Sequence, residues 1–134
     1  MKFAFYPGCV ARGAAPELFQ STMEICKILG IELDYEPMRT ASCTGSGILQ
    51  EKNLRLADTL NARNLALAEK SGLPLMTICS TSQGVMSQAN ERLKADPEYL
   101  ESINADLAEE GLEYSGNAEL KHLQSLSNQY CLRT

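Results

Sequence analysis

Tryptophan is missing from this 134-residue chain, histidine occurs once, and Phe and Tyr bring the aromatics to only 6%. So thin a supply excludes the stacking platforms that grip single-stranded nucleic acid. Positive charge is short as well. Twelve Lys and Arg face 17 Asp and Glu, a formal net charge of −5, the reverse of the basic face of a nucleic-acid binder. No apolar run approaches the ~20 residues of a membrane span. The amino terminus breaks at Pro7-Gly8 after a few apolar residues, without the apolar core or small-residue cleavage site of a secretory signal. The chain is therefore expected to be soluble and cytoplasmic. What is present is ordinary globular material, 44% hydrophobic and 22% charged, in an amount that suits one domain. Five cysteines, an odd number in a reducing compartment, argue against a disulfide framework. Core thiols, a metal site or redox chemistry remain.

Short apolar runs alternate with helical periodicity. Phe3 to Tyr6 reads as a strand stopped by Pro7-Gly8. From Pro16 to Leu29, Leu18, Thr22, Ile25 and Leu29 recur at helical spacing, flanked by Phe19, Met23 and Cys26. Pro16 suits the first turn and Gly30 the carboxyl cap. Ile31 to Tyr35 alternates with period two, as a half-buried strand does. A loop of small residues, Thr40 to Gly47, leads to a long helix over Asn53 to Lys70, with Leu56, Leu60 and Leu67 on one side. Leu75 to Ile78 is a third strand, apolar enough to be central. Val85, Met86, Ala89 and Leu93 mark the next helix, and Asp96-Pro97 opens another that ends at Gly111. Leu112 to Tyr114 reads as a fourth short strand, and Leu120 with Leu123 as a last helix. Residues 125–134 are read as a loosely ordered tail. The order βαβαβα implies an α/β fold, a parallel sheet of about four strands with flanking helices.

That topology brings distant thiols together. Cys9 follows the first strand, Cys43 lies in the loop after the second, and Cys79 ends the third. All three fall at the carboxyl edge of a parallel sheet, where such folds place their sites. Each precedes a helix whose first-turn amides favour a thiolate. Cys26, on the apolar side of the first helix, reads instead as a core thiol, and Cys131 as an incidental one. His122, the lone histidine, reads as a surface or partly buried side chain rather than a ligand. Gly45-Ser46-Gly47 lacks the Lys-Ser or Lys-Thr of a phosphate loop. Asp58, Asn61 and Asn64, three apart, read as a surface stripe, and Glu109-Glu110 as a solvated face. The non-metal chemistry on offer is a cysteine nucleophile, Cys9 or Cys79, activated by a helix amino terminus.

Cys9, Cys43-Thr44-Gly45 and Cys79-Ser80-Thr81-Ser82 resemble the cysteine-rich CCG domain, whose pattern is a Cys, a CCG triplet and a CxxC pair. Residues 10–42 separate Cys9 from Cys43 and residues 46–78 separate Gly45 from Cys79, 33 in each case. Tyr6-Pro7-Gly8-Cys9 and Thr77 to Gly84 are similar to the B subunit of heterodisulfide reductase and its bacterial homologues. The likeness covers about Lys2 to Leu123, so a single domain is expected over residues 1–124. The resemblance implies an iron–sulfur module, with a [4Fe–4S] cluster or in some cases zinc, for electron transfer or thiol–disulfide redox within a larger complex. It also implies other subunits of that complex as partners and a thiol or disulfide as substrate. Carried over by position, the metal ligands are Cys9, Cys43 and Cys79. Thr44 and Ser82 stand where the second cysteines of CCG and CxxC belong, and would line the cofactor. Three thiols in place of five disfavour a five-cysteine noncubane cluster. They leave a cubane with one position to be filled by Ser82, an external thiol, water or another ligand. The alternative is a metal-free or zinc-binding scaffold that docks to partner subunits.

Overall fold

The computed structural model describes residues 2–6, 16–41, 44–45, 48–78 and 80–122. Strand β1 (Lys2–Tyr6) is followed by helix α1 (Pro16–Leu29) and strand β2 (Glu32–Asp34). A single 3-10 turn (Glu36–Met38) leads towards the short helix α2 (Ile48–Lys52) and the long helix α3 (Leu54–Ser71). Strand β3 (Leu75–Thr77), helices α4 (Ser80–Ala95) and α5 (Pro97–Leu107), and strand β4 (Leu120–His122) complete the order. Local chemistry sets the helix ends. The Asn53 side chain accepts from the Leu56 amide at 3.1 Å, and Asp96 accepts from the Glu98 and Tyr99 amides, both at 3.2 Å, so both satisfy first-turn donors.

The four strands are parallel in the order β2-β1-β3-β4. Phe3 is paired with Leu33, Tyr6 with Thr77, and Thr77 with His122. Alternation along β1 and β3 divides the interior in two. Ala4, Tyr6 and Leu75 face a large core built with Leu65 of α3, Met86 and Leu93 of α4, and Ile103 of α5. Phe3 and Met76 face the opposite side, where they pack with Ile31 and with Cys26 of α1. Thus α1 covers one face and α3, α4 and α5 the other. The chain leaves neighbouring β1 and β3 towards opposite outer strands, so the topological switch lies between them, where open α/β sheets bind ligands.

The expected α/β class and the parallel four-stranded sheet are observed. The fourth strand is displaced. Leu112 to Tyr114 forms no strand, because the Asn104 side chain takes both backbone groups of Tyr114, accepting from its amide at 2.8 Å and donating to its carbonyl at 2.9 Å. The strand is Leu120–His122, read from sequence as the start of a helix. The free edge of β3 pairs it, and the Leu75 amide already reaches the Glu119 carbonyl at 2.7 Å. Leu123 and residues 125–134 lie outside the described residues. Within α3 the buried side is inverted. Asp58, Asn61 and Asn64, expected on the surface, have no exposed area, while Leu56 is 45% exposed. On α1, Leu18, Met23 and Ile25 are likewise exposed, while Thr22 and Cys26 are buried. Among the described residues no helix is long and apolar enough to cross a membrane.

Candidate functional site

Cys9, Cys43 and Cys79 lie outside the described residues, so the site is built from what flanks them. The carboxyl ends of β1 and β3, Tyr6 and Thr77, are register partners on adjacent strands. The segments that carry Cys9 and Cys79 therefore start side by side. The loop after β2 is fastened to the same region by α3. Arg63 Nη1 donates to the Thr40 carbonyl at 2.7 Å. Asn61 Nδ2 donates to the Thr44 carbonyl at 3.4 Å and to the Ala57 carbonyl at 2.8 Å.

The two hydroxyls that occupy cysteine positions of the family pattern meet. Thr44 Oγ1 and Ser82 Oγ are 3.4 Å apart although they lie 38 positions apart in sequence, and both side chains are buried. A loop from one side of the sheet and the first turn of α4 from another thus converge on one point. Helix α2 is bound to α4 nearby: Gln50 Nε2 donates to Gln88 Oε1 at 3.0 Å, and Arg92 Nη2 donates to Gln50 Oε1 at 3.1 Å. Buried neutral hydroxyls in contact add no charge and form a polar lining that serves either as donor or as acceptor.

Gly45 has a physical reason for its place in the triplet. Its φ is +83°, in the left-handed region, and a Cβ there would stand 2.6 Å from Leu49 Cβ. Its carbonyl accepts from the Leu49 amide at 3.3 Å as α2 begins. Only glycine meets both demands without a shift of the backbone.

Charge near the site is internally balanced. Asp58, one turn before Asn61 on α3, accepts from Arg92 Nη2 at 2.7 Å and Nε at 3.1 Å, and from the Tyr99 hydroxyl at 2.8 Å. Burial first, then the bond to Asp58, pushes Tyr99 up to about 12. Burial also raises the Cys26 thiol, on the α1 face, as its core reading expects. A groove of 480 Å³ beside Cys26, Gly30, Ile31 and Leu33 joins the end of α1 to the start of β2, at the opposite edge of the sheet from Thr44 and Ser82. Among the described residues no three His, Cys, Asp or Glu side chains cluster to hold a metal.

Asn61 is the site residue that the sequence reading passed over. Its signal is the set of alanines at 57, 62, 66 and 68, all buried with it. Small side chains on one helix mark close approach of other elements, and a polar group among them requires buried partners.

Comparison with known proteins agrees with this geometry. The model of the CCG cysteine-rich domain matches residues 3–87. The chain is 38% identical over 122 residues to the 8-methylmenaquinol:fumarate reductase membrane anchor subunit of Wolinella succinogenes, covering 91% of this chain and 42% of that protein. It is 31% identical over 123 residues to the B subunit of the ferredoxin/F(420)H(2)-dependent CoB-CoM heterodisulfide reductase of Methanosarcina acetivorans, covering 91% and 40%. A hypothetical protein from Helicobacter pylori, known as a crystal structure, has the same fold, with a TM-score of 0.83 at 21% identity over 95% of this chain and 25% of that one. The chain spans about two-fifths of the length of the two named relatives. Matched from Phe3 in β1 to Ser87 within α4, and with its triplet glycine sterically required, the chain belongs to the cysteine-rich CCG domain family.

Proposed function

We propose that this CCG domain holds an iron–sulfur centre through Cys9, Cys43 and Cys79 and serves as an electron-transfer or thiol–disulfide redox module within a larger complex. The observation that carries the reading is the contact of Thr44 Oγ1 with Ser82 Oγ at 3.4 Å. Each is one family position removed from a proposed ligand: Thr44 follows Cys43 directly, and Ser82 closes the Cys79 to Ser82 segment. When bound, the cluster supplies one-electron redox chemistry.

The donor set decides which group fits. Three thiols suit a cubane [4Fe–4S] cluster with one position outside protein sulfur, or a zinc ion with one further ligand. A five-thiolate noncubane cluster does not fit, because two of its positions are hydroxyls engaged with each other. The protein's part is positional. Gly45 gives the loop its turn, Asn61 and Arg63 hold that loop to α3, and the Gln50–Gln88 bond fixes α2 against α4. The names of the relatives, a heterodisulfide reductase subunit and a fumarate reductase membrane anchor subunit, support redox-complex subunits as partners, and the first supports a thiol or disulfide as substrate.

Anaerobic reconstitution with iron and sulfide tests the reading. Stoichiometric iron and acid-labile sulfide, with broad sulfide-to-iron charge-transfer absorption, are expected. Both are expected to fall away in Cys43→Ser and in Cys79→Ser. A folded chain that takes up neither overturns it. The same hydroxyl pair favours a second reading, a scaffold that docks to partner subunits with zinc or no metal. Zinc without sulfide, or no metal at all, is its signature.

A further inference from the structure

Asn61 has no exposed surface, and its amide orientation is dictated by its neighbours. Nδ2 faces two carbonyl oxygens, those of Ala57 and Thr44. The flipped amide would set oxygen against oxygen, so Oδ1 is held as the opposite end of the group. Among the described residues no donor reaches Oδ1. A buried acceptor without a donor is destabilising, and native interiors retain few. The orphan sits on the side chain that clamps Thr44, and the Thr44 hydroxyl contacts Ser82. The unpaired oxygen thus belongs to the side chain that holds the residue standing at one of the two missing-thiol positions.

An amide oxygen accepts hydrogen bonds and cannot donate. It discriminates between the groups that would complete a three-thiolate metal site. A thiolate or an alkoxide has no proton to offer it. A water on a metal has two, and the metal makes them stronger donors. The Thr44 and Ser82 hydroxyls accept or donate as required, whereas Asn61 Oδ1 has one role only.

We propose that the metal position not taken by a cysteine carries an exchangeable water, and that Asn61 Oδ1 accepts its hydrogen bond. Asn61 is then a positioning residue, Ser82 marks the open side of the centre, and the vacancy accepts a small ligand in place of water. This rests on the metal-centre reading above, and the experiment separates the two.

The full chain is loaded anaerobically in water enriched in the magnetic oxygen isotope, and its metal is measured. The reduced cluster, or cobalt(II) exchanged for zinc where zinc is found, is paramagnetic, and electron–nuclear double resonance detects oxygen bound to it. Coupling to labelled oxygen is expected in the unaltered chain. Ser82→Cys, nearly isosteric, supplies a fourth thiolate and is expected to abolish the coupling at unchanged metal content. Asn61→Leu is expected to diminish it. Full metal content without labelled-oxygen coupling overturns this inference and leaves the metal centre standing. Absence of metal overturns both. Coupling that survives Ser82→Cys overturns the placement beside Ser82. A folded Asn61→Leu protein with unchanged coupling overturns the role of Asn61.

Discussion

Asp58 and Arg92 form an unequal pair. The carboxylate has no exposed surface, whereas the guanidinium is about one-third exposed. Removing either partner therefore has a different consequence. Arg92→Leu leaves a carboxylate walled off from water with, among the described residues, only Tyr99 donating to it, and is expected to destabilise the fold by about 3–5 kcal/mol. Asp58→Asn leaves an arginine that water still reaches, and about 2 kcal/mol is expected. The double variant is expected to cost less than the sum, and urea midpoints of the four proteins check all three values. Cys26 makes a further residue-level case. Burial holds its thiol up and, being in the α1 core, it is expected to alkylate slowly in native protein and rapidly in urea, as mass spectrometry of iodoacetamide adducts would report. The sequence permitted a correct reading of Cys26, which is apolar on an apolar helix side. It misdirected for Asp58, Asn61 and Asn64. Periodicity places three such residues on one face but does not say whether that face is inside. What buries them is supplied from far along the chain: Arg92 and Tyr99 for Asp58, and the Thr44 carbonyl for Asn61.

Among elements, the loop between β2 and α3 makes the strictest demand on sequence, and it concentrates on Gly45. Gly72 caps α3 with a φ of +74° and has nothing within 4 Å of an added Cβ, whereas Gly45 combines φ +83° with a Leu49 Cβ at 2.6 Å. Gly72→Ala is expected to cost about 1–2 kcal/mol, the strain of a left-handed alanine alone. Gly45→Ala adds a clash with helix backbone-proximal carbon, is expected to cost about 1–3 kcal/mol more, and is expected to lower metal uptake because it moves the loop next to Cys43. Thermal unfolding of the two variants, with iron per chain after reconstitution, checks the difference. The first three strands and the three long helices could be read because each combines a strong period with a cap or a breaker. The fourth strand could not. Three residues carry too short a period, and their pairing depends on the vacant edge of β3. The rival segment around Tyr114 lost its backbone groups to the Asn104 side chain, which no local pattern announces. The same limit applied to the site. The spacing of the cysteines pointed to the family that the comparison confirms, but the Asn61 clamp depends on three-dimensional convergence.

The whole molecule is built unevenly around its sheet, and that asymmetry locates its response to alkali. Among the described residues one face has α1 alone, with Ile28 83% exposed and Leu18 and Ile25 close to half exposed. The other is closed by α3, α4 and α5, and two tyrosines help to lock it. Tyr99 on α5 donates to Asp58 of α3, and Tyr114, fully buried after α5, donates to Asn90 of α4. Burial, the leading cause for both, pushes each up to about 12 from an ordinary value of 10.0. The folded chain thus holds both phenols protonated at a pH where the unfolded chain releases them. Their stabilisation is complete below pH 10 and is lost as pH rises through about 12. Across that window Tyr114 is expected to steepen the fall in stability by about 1.4 kcal/mol per pH unit. Tyr99, partly exposed, contributes less. Urea unfolding at successive alkaline pH values measures the slope. Tyr114→Phe is expected to lower stability at neutral pH through the lost bond to Asn90, yet to flatten the alkaline decline. An unchanged slope in that variant would mean that the packed face opens to water before the phenol ionises.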